Sequence, residues 1–181
     1  MPRQQQHQLV LRALAVGQGG HAGKGLARPV LDDGERHALH RFVRGAGGAD
    51  LESFWAENRY QAYEGVSVPG FPNLFTILGP YGYNGASYFT LIENQSRHIV
   101  RCLTRAREVG ATRVEVTREA NDRYLAQMLG RRHRQVFFQG NCGTANSYYF
   151  DSHGDAPFRA STTLEARWRS ARFPLADYTF A

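Results

Sequence analysis

The sequence predicts an α/β fold with too few strands for a complete doubly wound sheet. Three observations carry that expectation. Leu74-Phe75-Thr76-Ile77-Leu78 is a short apolar run of the kind that parallel sheets bury on both faces. A glycine-rich loop and a long amphipathic segment follow it directly. Arg113-Val114-Glu115-Val116-Thr117 alternates in polarity and leads into a second helical segment.

Taken in order, residues 1–43 differ from the rest. They hold six of the 19 glycines and four of the seven histidines. Gln4 to Gln8 is polar, Gly17 to Gly25 is glycine-rich, and hydrophobic periodicity is confined to Leu9 to Val16, so a loose or disordered segment is expected. From Arg44 the pattern becomes regular. Asp50 to Tyr63 is aromatic and polar, with Trp55, Tyr60 and Tyr63. Val68-Pro69-Gly70-Phe71-Pro72 reads as a turn before the apolar strand. After the loop Gly79 to Gly85, a helix is expected over about Ala86 to Val109. Its predicted apolar stripe is Phe89, Ile92, Ile99, Val100 and Leu103, covered by Arg97, Arg101, Arg105 and Arg107 and stopped by Gly110. Arg113 to Thr117 reads as an exposed strand. Thr117 is placed to cap a helix running to about Leu129, with Gly130 at its end. Gln135 to Gln139 is a further strand candidate. Thr162 and Glu165 stand at capping-box spacing, predicting a last helix over about Thr163 to Arg172 that Pro174 prevents from continuing.

The composition sets bounds. The 181 residues, 42% hydrophobic and 21% charged, suit one globular domain and exclude a collagenous, disulfide-scaffold or fully disordered chain. The longest apolar stretches are far short of the roughly 20 residues of a membrane span. There is no apolar secretory segment, and Cys102 and Cys142 cannot build a disulfide framework, so a cytoplasmic setting is expected. The net charge is +6, yet Lys24 is the one lysine among 22 cations. That skew, with abundant Gly and Ala, reads as coding in a GC-rich genome and argues against a nucleic-acid partner.

Several motifs fail their context test. Gly17-Gln18-Gly19-Gly20-His21-Ala22 matches G-x-G-x-x-A after a possible strand, but Gly23, Lys24, Gly25 and Pro29 follow where a phosphate-binding helix is required. Gly23-Lys24-Gly25 lacks the Ser or Thr of a phosphate loop. His37 and His40 have no further ligand at metal-binding spacing, and no metal is expected. Arg131-Arg132-His133-Arg134 reads as a solvated helix end. Cys142 with His153 as its base lacks any spacing that would bring the two together.

The segment from Leu74 to Val109 is the best candidate. A buried strand ends in Gly79-Pro80-Tyr81-Gly82-Tyr83-Asn84-Gly85, and the long helix starts at Ala86 and Ser87 with its free N–H groups facing the loop. Such a place suits an anion or an electron-rich ring, and glycines let a flat ligand approach the backbone. Composition by itself supports a plain strand-to-helix turn equally well.

These residues carry a resemblance. Val68-Pro69-Gly70-Phe71-Pro72-Asn73-Leu74-Phe75, then Leu78-Gly79-Pro80 and Asn84-Gly85, resembles the late segment of flavin-containing monooxygenases, the group that includes Baeyer–Villiger monooxygenases. Leu91-Ile92-Glu93-Asn94-Gln95 with Arg97-His98-Ile99 resembles the family's following helix. Asn141 to Asp151, with Cys142, Ser147, Tyr148 and Tyr149, resembles its C-terminal segment, and Gly45 to Gly48, Asp50-Leu51, Trp55 and Tyr63-Glu64-Gly65 its lead-in. The resemblance is collinear over about Arg44 to Ala181. It implies the C-terminal portion of an FAD-binding fold with two dinucleotide domains, and the cofactors FAD and NADPH. It also implies an enzyme that uses O2 to oxygenate a ketone, amine or sulfide. Gly79, Pro80, Tyr81, Gly82, Tyr83, Asn84, Gly85, Ala86 and Ser87 would lie against the flavin.

The departures shape the expectation. Neither of the family's G-x-G-x-x-G fingerprints is found, nor the signature linking them, and no catalytic residue can be assigned. Residues 1–43 do not resemble the family and read like a GC-rich frame translated out of phase. The chain is therefore expected to be a truncated or frameshifted piece, residues 44–181 being part of the FAD domain. It is expected to be inactive alone, to hold neither cofactor tightly, and to self-associate through exposed apolar surface. The alternatives are a partner subunit of a split monooxygenase, a basic non-enzymatic binding module, or a small enzyme using Cys142 or His153.

Overall fold

The computed structural model describes residues 12–15 as backbone, and residues 43–140 and 149–181 in full. The elements in chain order are β1 (Arg12–Ala15), α1 (Leu51–Asn58), β2 (Leu74–Ile77), α2 (Tyr88–Val109), β3 (Val114–Val116), α3 (Arg118–Gly130), α4 (Thr163–Arg172) and β4 (Tyr178–Phe180). β1 and β2 pair in parallel, with Arg12 opposite Leu74 and Ala15 opposite Ile77. β3 and β4 pair antiparallel, with Val114 opposite Phe180 and Val116 opposite Tyr178. The mixed architecture agrees with the α/β expectation, whereas β1 lies inside the segment 1–43 expected to be loose, at the place of the possible strand Leu9 to Val16. The remainder of 1–42 lies outside the described residues, as do His37, His40 and the Gly17–Ala22 motif.

The caps form where the side chains demand them. Thr117 Oγ1 accepts the Ala120 N–H at 3.2 Å, and Thr162 Oγ1 accepts that of Glu165 at 3.2 Å. Asp50 caps α1 through the Ser53 N–H at 3.0 Å. Each satisfies an orphan donor of a first turn. Gly110 ends α2 in the left-handed region at φ 70°, as a helix stop requires.

Three expectations are corrected. Arg113 to Thr117 holds a strand, but not an exposed one: Val114 and Val116 are buried in the core. Gln135 to Gln139 is not a strand: Val136–Phe138 is a turn of 3-10 helix, with the Phe138 N–H bonded to Gln135 O at 3.1 Å. Phe137 stacks on Phe158 with centroids 5.1 Å apart, so its apolar character comes from loop packing rather than from a sheet. The predicted stripe of α2 holds at Ile99 and, partly buried, at Leu103, but not at its other positions. Phe89, Ile92 and Val100 are exposed, whereas the buried face is Leu91, Asn94, Gln95, His98, Ile99, Cys102 and Ala106. Those residues follow the helical i, i+3, i+4 rhythm. Three of them are polar, and so invisible to a search for apolar periodicity.

The main core gathers Tyr63, Val66, Phe75, Ile99, Cys102, Val114, Val116, Tyr124, Met128, Phe173 and Tyr178 around α2, α3 and the β3–β4 pair. A second cluster packs Val43, Leu51, Trp55, Val68, Phe71 and Leu74 beneath α1. Leu74, Phe75 and Thr76 are buried, so β2 has its packing partners within this chain.

Candidate functional site

The loop from β2 to α2 starts at a crossing of three glycines packed backbone to backbone. A Cβ on Gly65 would lie 2.2 Å from the Gly82 Cα, and one on Gly82 would lie 2.8 Å from Gly79 O. Gly79 N–H donates to Gly65 O at 3.1 Å, and Thr76 Oγ1 donates to the same carbonyl at 3.0 Å. The glycines at 79 and 82 therefore serve a crossing within the chain. This corrects the expectation that Gly82 is open to a flat ligand.

Gln95 of α2 locks the turn. Its Oε1 accepts the Leu78 N–H at 2.7 Å, and its Nε2 donates to Gly82 O at 3.3 Å. Gln95 is buried because this loop needs a donor and an acceptor at one point. The loop is also held from the far side. Tyr81 N–H donates to Pro157 O at 2.7 Å, Arg159 N–H to Tyr83 O at 2.7 Å, and Asn84 Nδ2 to Ser161 O at 3.1 Å. Tyr124 of α3 donates its hydroxyl to Tyr81 O at 2.7 Å. Burial pushes the Tyr124 phenol above its ordinary range, with Arg159 and Arg169 pulling the other way, so it stays protonated and remains a donor.

The site residues thus divide. Gly79, Tyr81 and Gly82 are buried within the fold, with Pro80 partly so. Tyr83, Asn84 and Ala86 are half-buried, and Gly85 and Ser87 are exposed. Tyr83 stacks on Tyr88 at 4.9 Å, beside the start of α2. Gly85 stands at φ 81°, with nothing within 4 Å of the point where a Cβ would stand. Ser87 gives α2 no side-chain cap, so its hydroxyl does not occupy the first-turn N–H groups.

Beneath the loop lies a charge cluster whose members are far apart in sequence. Glu64 is 1% exposed. Its carboxylate accepts Arg159 at 2.5 Å and Arg169 at 2.5 Å. Arg159 Nε donates to Ser161 Oγ at 2.8 Å, and Arg169 NH1 to Gln127 Oε1 at 2.9 Å. Both guanidinium groups lie against the Tyr124 ring, at 5.7 and 5.5 Å. Burial opposes the charge of Arg159, but the bonded Glu64 carboxylate favours it, and its pKa is raised. Glu64 appears in the quoted Tyr63-Glu64-Gly65 motif, and Arg159 and Arg169 lie 95 and 105 residues away, a spacing that carries no local pattern.

Of the other candidates, Arg131 pairs with Glu165 at 2.6 Å and Arg132 approaches Asp155 at 3.7 Å, so the basic run is partly tied into the fold. His153 bonds Ala56 O at 3.1 Å on the surface. Cys142 and the motif residues 141–148 lie outside the described residues. Among the described residues no group of His, Cys, Asp and Glu suits a metal ion, and no helix is long and apolar enough to cross a membrane. Burial pushes the Cys102 thiol up to about 12, which makes it a packing residue rather than a nucleophile.

No protein-family profile matches the chain. A Baeyer–Villiger monooxygenase of Streptomyces coelicolor is 29% identical over 138 residues, covering 75% of this chain and 26% of that enzyme. Among solved structures, a steroid monooxygenase bound to NADP superposes with a TM-score of 0.63 at 21% identity, over 75% of this chain and 25% of its own. A complex of the enzyme OTEMO with FAD and NADP superposes at 0.62 with 24% identity, over 76% of this chain and 26% of its own. The chain spans about a quarter of the length of the curated relatives it matches. It resembles Baeyer–Villiger monooxygenases in sequence and in fold, and its α/β architecture matches part of theirs.

Proposed function

We propose that this chain forms one edge of the FAD site of a monooxygenase that inserts one oxygen atom into a ketone, amine or sulfide, with NADPH and O2 as co-substrates. The observation that carries the reading is the likeness over three-quarters of the chain, with the β2–α2 loop at the heart of the resembling residues. The exposed part of that loop suits a flavin edge. Gly85 leaves its backbone bare, and the uncapped first turn of α2 presents N–H groups and a positive dipole end to negative charge. Bound FAD supplies hydride acceptance and oxygen activation. The residues of this chain hold and shape: Gly79, Pro80, Tyr81 and Gly82 set the turn, and Tyr83, Asn84, Gly85, Ala86 and Ser87 face the ring. Gln95, Tyr124 and Arg159 fix the loop from behind. In this reading the chain does not turn over alone, because the nucleotide-binding fingerprints belong to other parts of such enzymes.

Gly85 and Gly110 make a matched pair for the test. Both hold positive φ, 81° and 70°, with open space at the Cβ, so a side chain imposes the same backbone strain at each. Residues 44–181 are grafted into the Streptomyces relative in place of its matching segment. Gly85→Leu is expected to weaken FAD retention after gel filtration by about tenfold, whereas Gly110→Leu leaves it within about twofold. Equal loss in both grafts, or full retention with Gly85→Leu, overturns the reading.

A further inference from the structure

On the side of the charge cluster away from the β2–α2 loop, α3, α4 and the segment after α4 line an open cleft of 510 Å³. That volume lies in the range of small-molecule sites, roughly 300–1,000 Å³. Its floor is aromatic: Tyr63, Tyr124 and Phe173 are all buried. One wall is Trp168, whose side chain stands beside that floor although the residue is 56% exposed.

Three arginines line the cleft, and they are not equivalent. Arg123 is paired with Asp177 at 2.7 Å, and Arg169 with Glu64 at 2.5 Å. Arg172 has no acidic partner among the described residues. Its guanidinium instead lies 5.8 Å from the Trp168 ring centroid. The lining therefore carries one cation in excess of its two carboxylates, Glu64 and Asp177. That cation sits next to an aromatic face open to solvent.

We infer that this cleft binds a small planar aromatic carboxylate, its ring against Trp168 and its carboxylate on Arg172. The two halves of such a ligand match the two exposed groups of the wall, the indole and the guanidinium beside it, which at present contact each other at 5.8 Å. A planar body covers the open indole face and excludes water from it. A carboxylate takes two parallel bonds from a guanidinium fork, the strongest pairing open to that group. A neutral ring leaves Arg172 without an anion, and a bare inorganic anion leaves the indole uncovered. The cleft shares Glu64, Tyr124 and Arg169 with the cluster beneath the β2–α2 loop, but Trp168 and Arg172, the groups that take the ligand, lie outside that loop, so the inference does not depend on the flavin reading.

Benzoate titrated into the intact chain is the test, followed by the fluorescence of Trp168 and in parallel by calorimetry. The chain has two tryptophans, and the other, Trp55, is buried. A saturable change with a dissociation constant below about 10 mM is expected. Benzamide, the neutral isostere, should bind about tenfold more weakly, and phosphate should not saturate in that range. Arg172→Gln should lose about tenfold for benzoate. Arg167→Gln, which removes the same charge from an exposed position on the same helix outside the cleft, should stay within about twofold. Trp168→Phe should abolish the optical signal while calorimetry still detects binding. No saturation, equal binding of benzamide or phosphate, or equal loss in the two arginine variants overturns the inference.

Discussion

Replacing Glu64 by Gln keeps the shape of the side chain and removes one negative charge from beneath the candidate loop. Two arginines then lose their carboxylate. Arg169 is partly exposed and recovers some hydration, but the Arg159 side chain is 2% exposed and has none to recover. Removing one partner from a buried ion pair costs about 3–5 kcal/mol, because the surviving charge stays desolvated. With a urea dependence of about 2 kcal/mol per molar, the unfolding midpoint should fall by about 1.5–2.5 M. The double change Glu64→Leu with Arg159→Met, which replaces the pair with apolar volume, should lose less than Glu64→Gln alone. Hydrogen exchange supplies a second reading. The Arg159 amide, bonded to Tyr83 O at 2.7 Å, should lose protection in Glu64→Gln before the amides of β3 do. A midpoint shift worth less than about 1 kcal/mol, or a double variant weaker than the single one, would refute the argument that this cluster anchors the loop.

Two further outcomes follow from the same structure. Burial, then Arg101 and Arg159, hold the His98 imidazole well below its usual range, against Phe173 at 3.7 Å and the Tyr178 hydroxyl at 2.7 Å. The unfolded chain binds a proton at His98 near pH 6.5 that the folded one refuses. Stability from this residue is therefore present above pH 6.5 and falls below it, at up to about 1.4 kcal/mol per pH unit. His98→Phe should flatten the slope of urea stability between pH 7.5 and 5.5, and an unchanged slope would contradict the assignment. Gly82→Ala should destabilise by more than Gly85→Ala, by about 2 kcal/mol against about 1, since only the former meets backbone at 2.8 Å. Equal unfolding midpoints for the two variants would remove the glycine crossing as a constraint.

Sequence alone determined whatever depends on short-range chemistry. Thr117 and Thr162 cap helices because a hydroxyl three residues before a free N–H is a local geometry. Gly110 ends α2 because only that residue type enters the left-handed region without strain, and Leu74 to Ile77 forms a strand because an apolar β-rich run between turns has few other uses. The collinear motifs from Val68 to Asp151 likewise identified the monooxygenase likeness and pointed to the β2–α2 loop. Tertiary structure decided what depends on partners distant in the chain. Gln95, His98 and Asn94 occupy the buried face of α2, while Phe89, Ile92 and Val100 face solvent. The first two of those polar residues have bonding partners from Leu78, Gly82 and Tyr178, and an apolar periodicity cannot see a satisfied polar group. Gly82 is required by Gly65, seventeen residues earlier, rather than by a ligand. Glu64 meets Arg159 and Arg169 only after α3 and α4 have packed, since a charge pair across a hundred residues leaves no spacing to read. The cleft beside Trp168 and Arg172 exists for the same reason: its walls come from α3, α4 and the chain beyond them, and only folding brings them face to face.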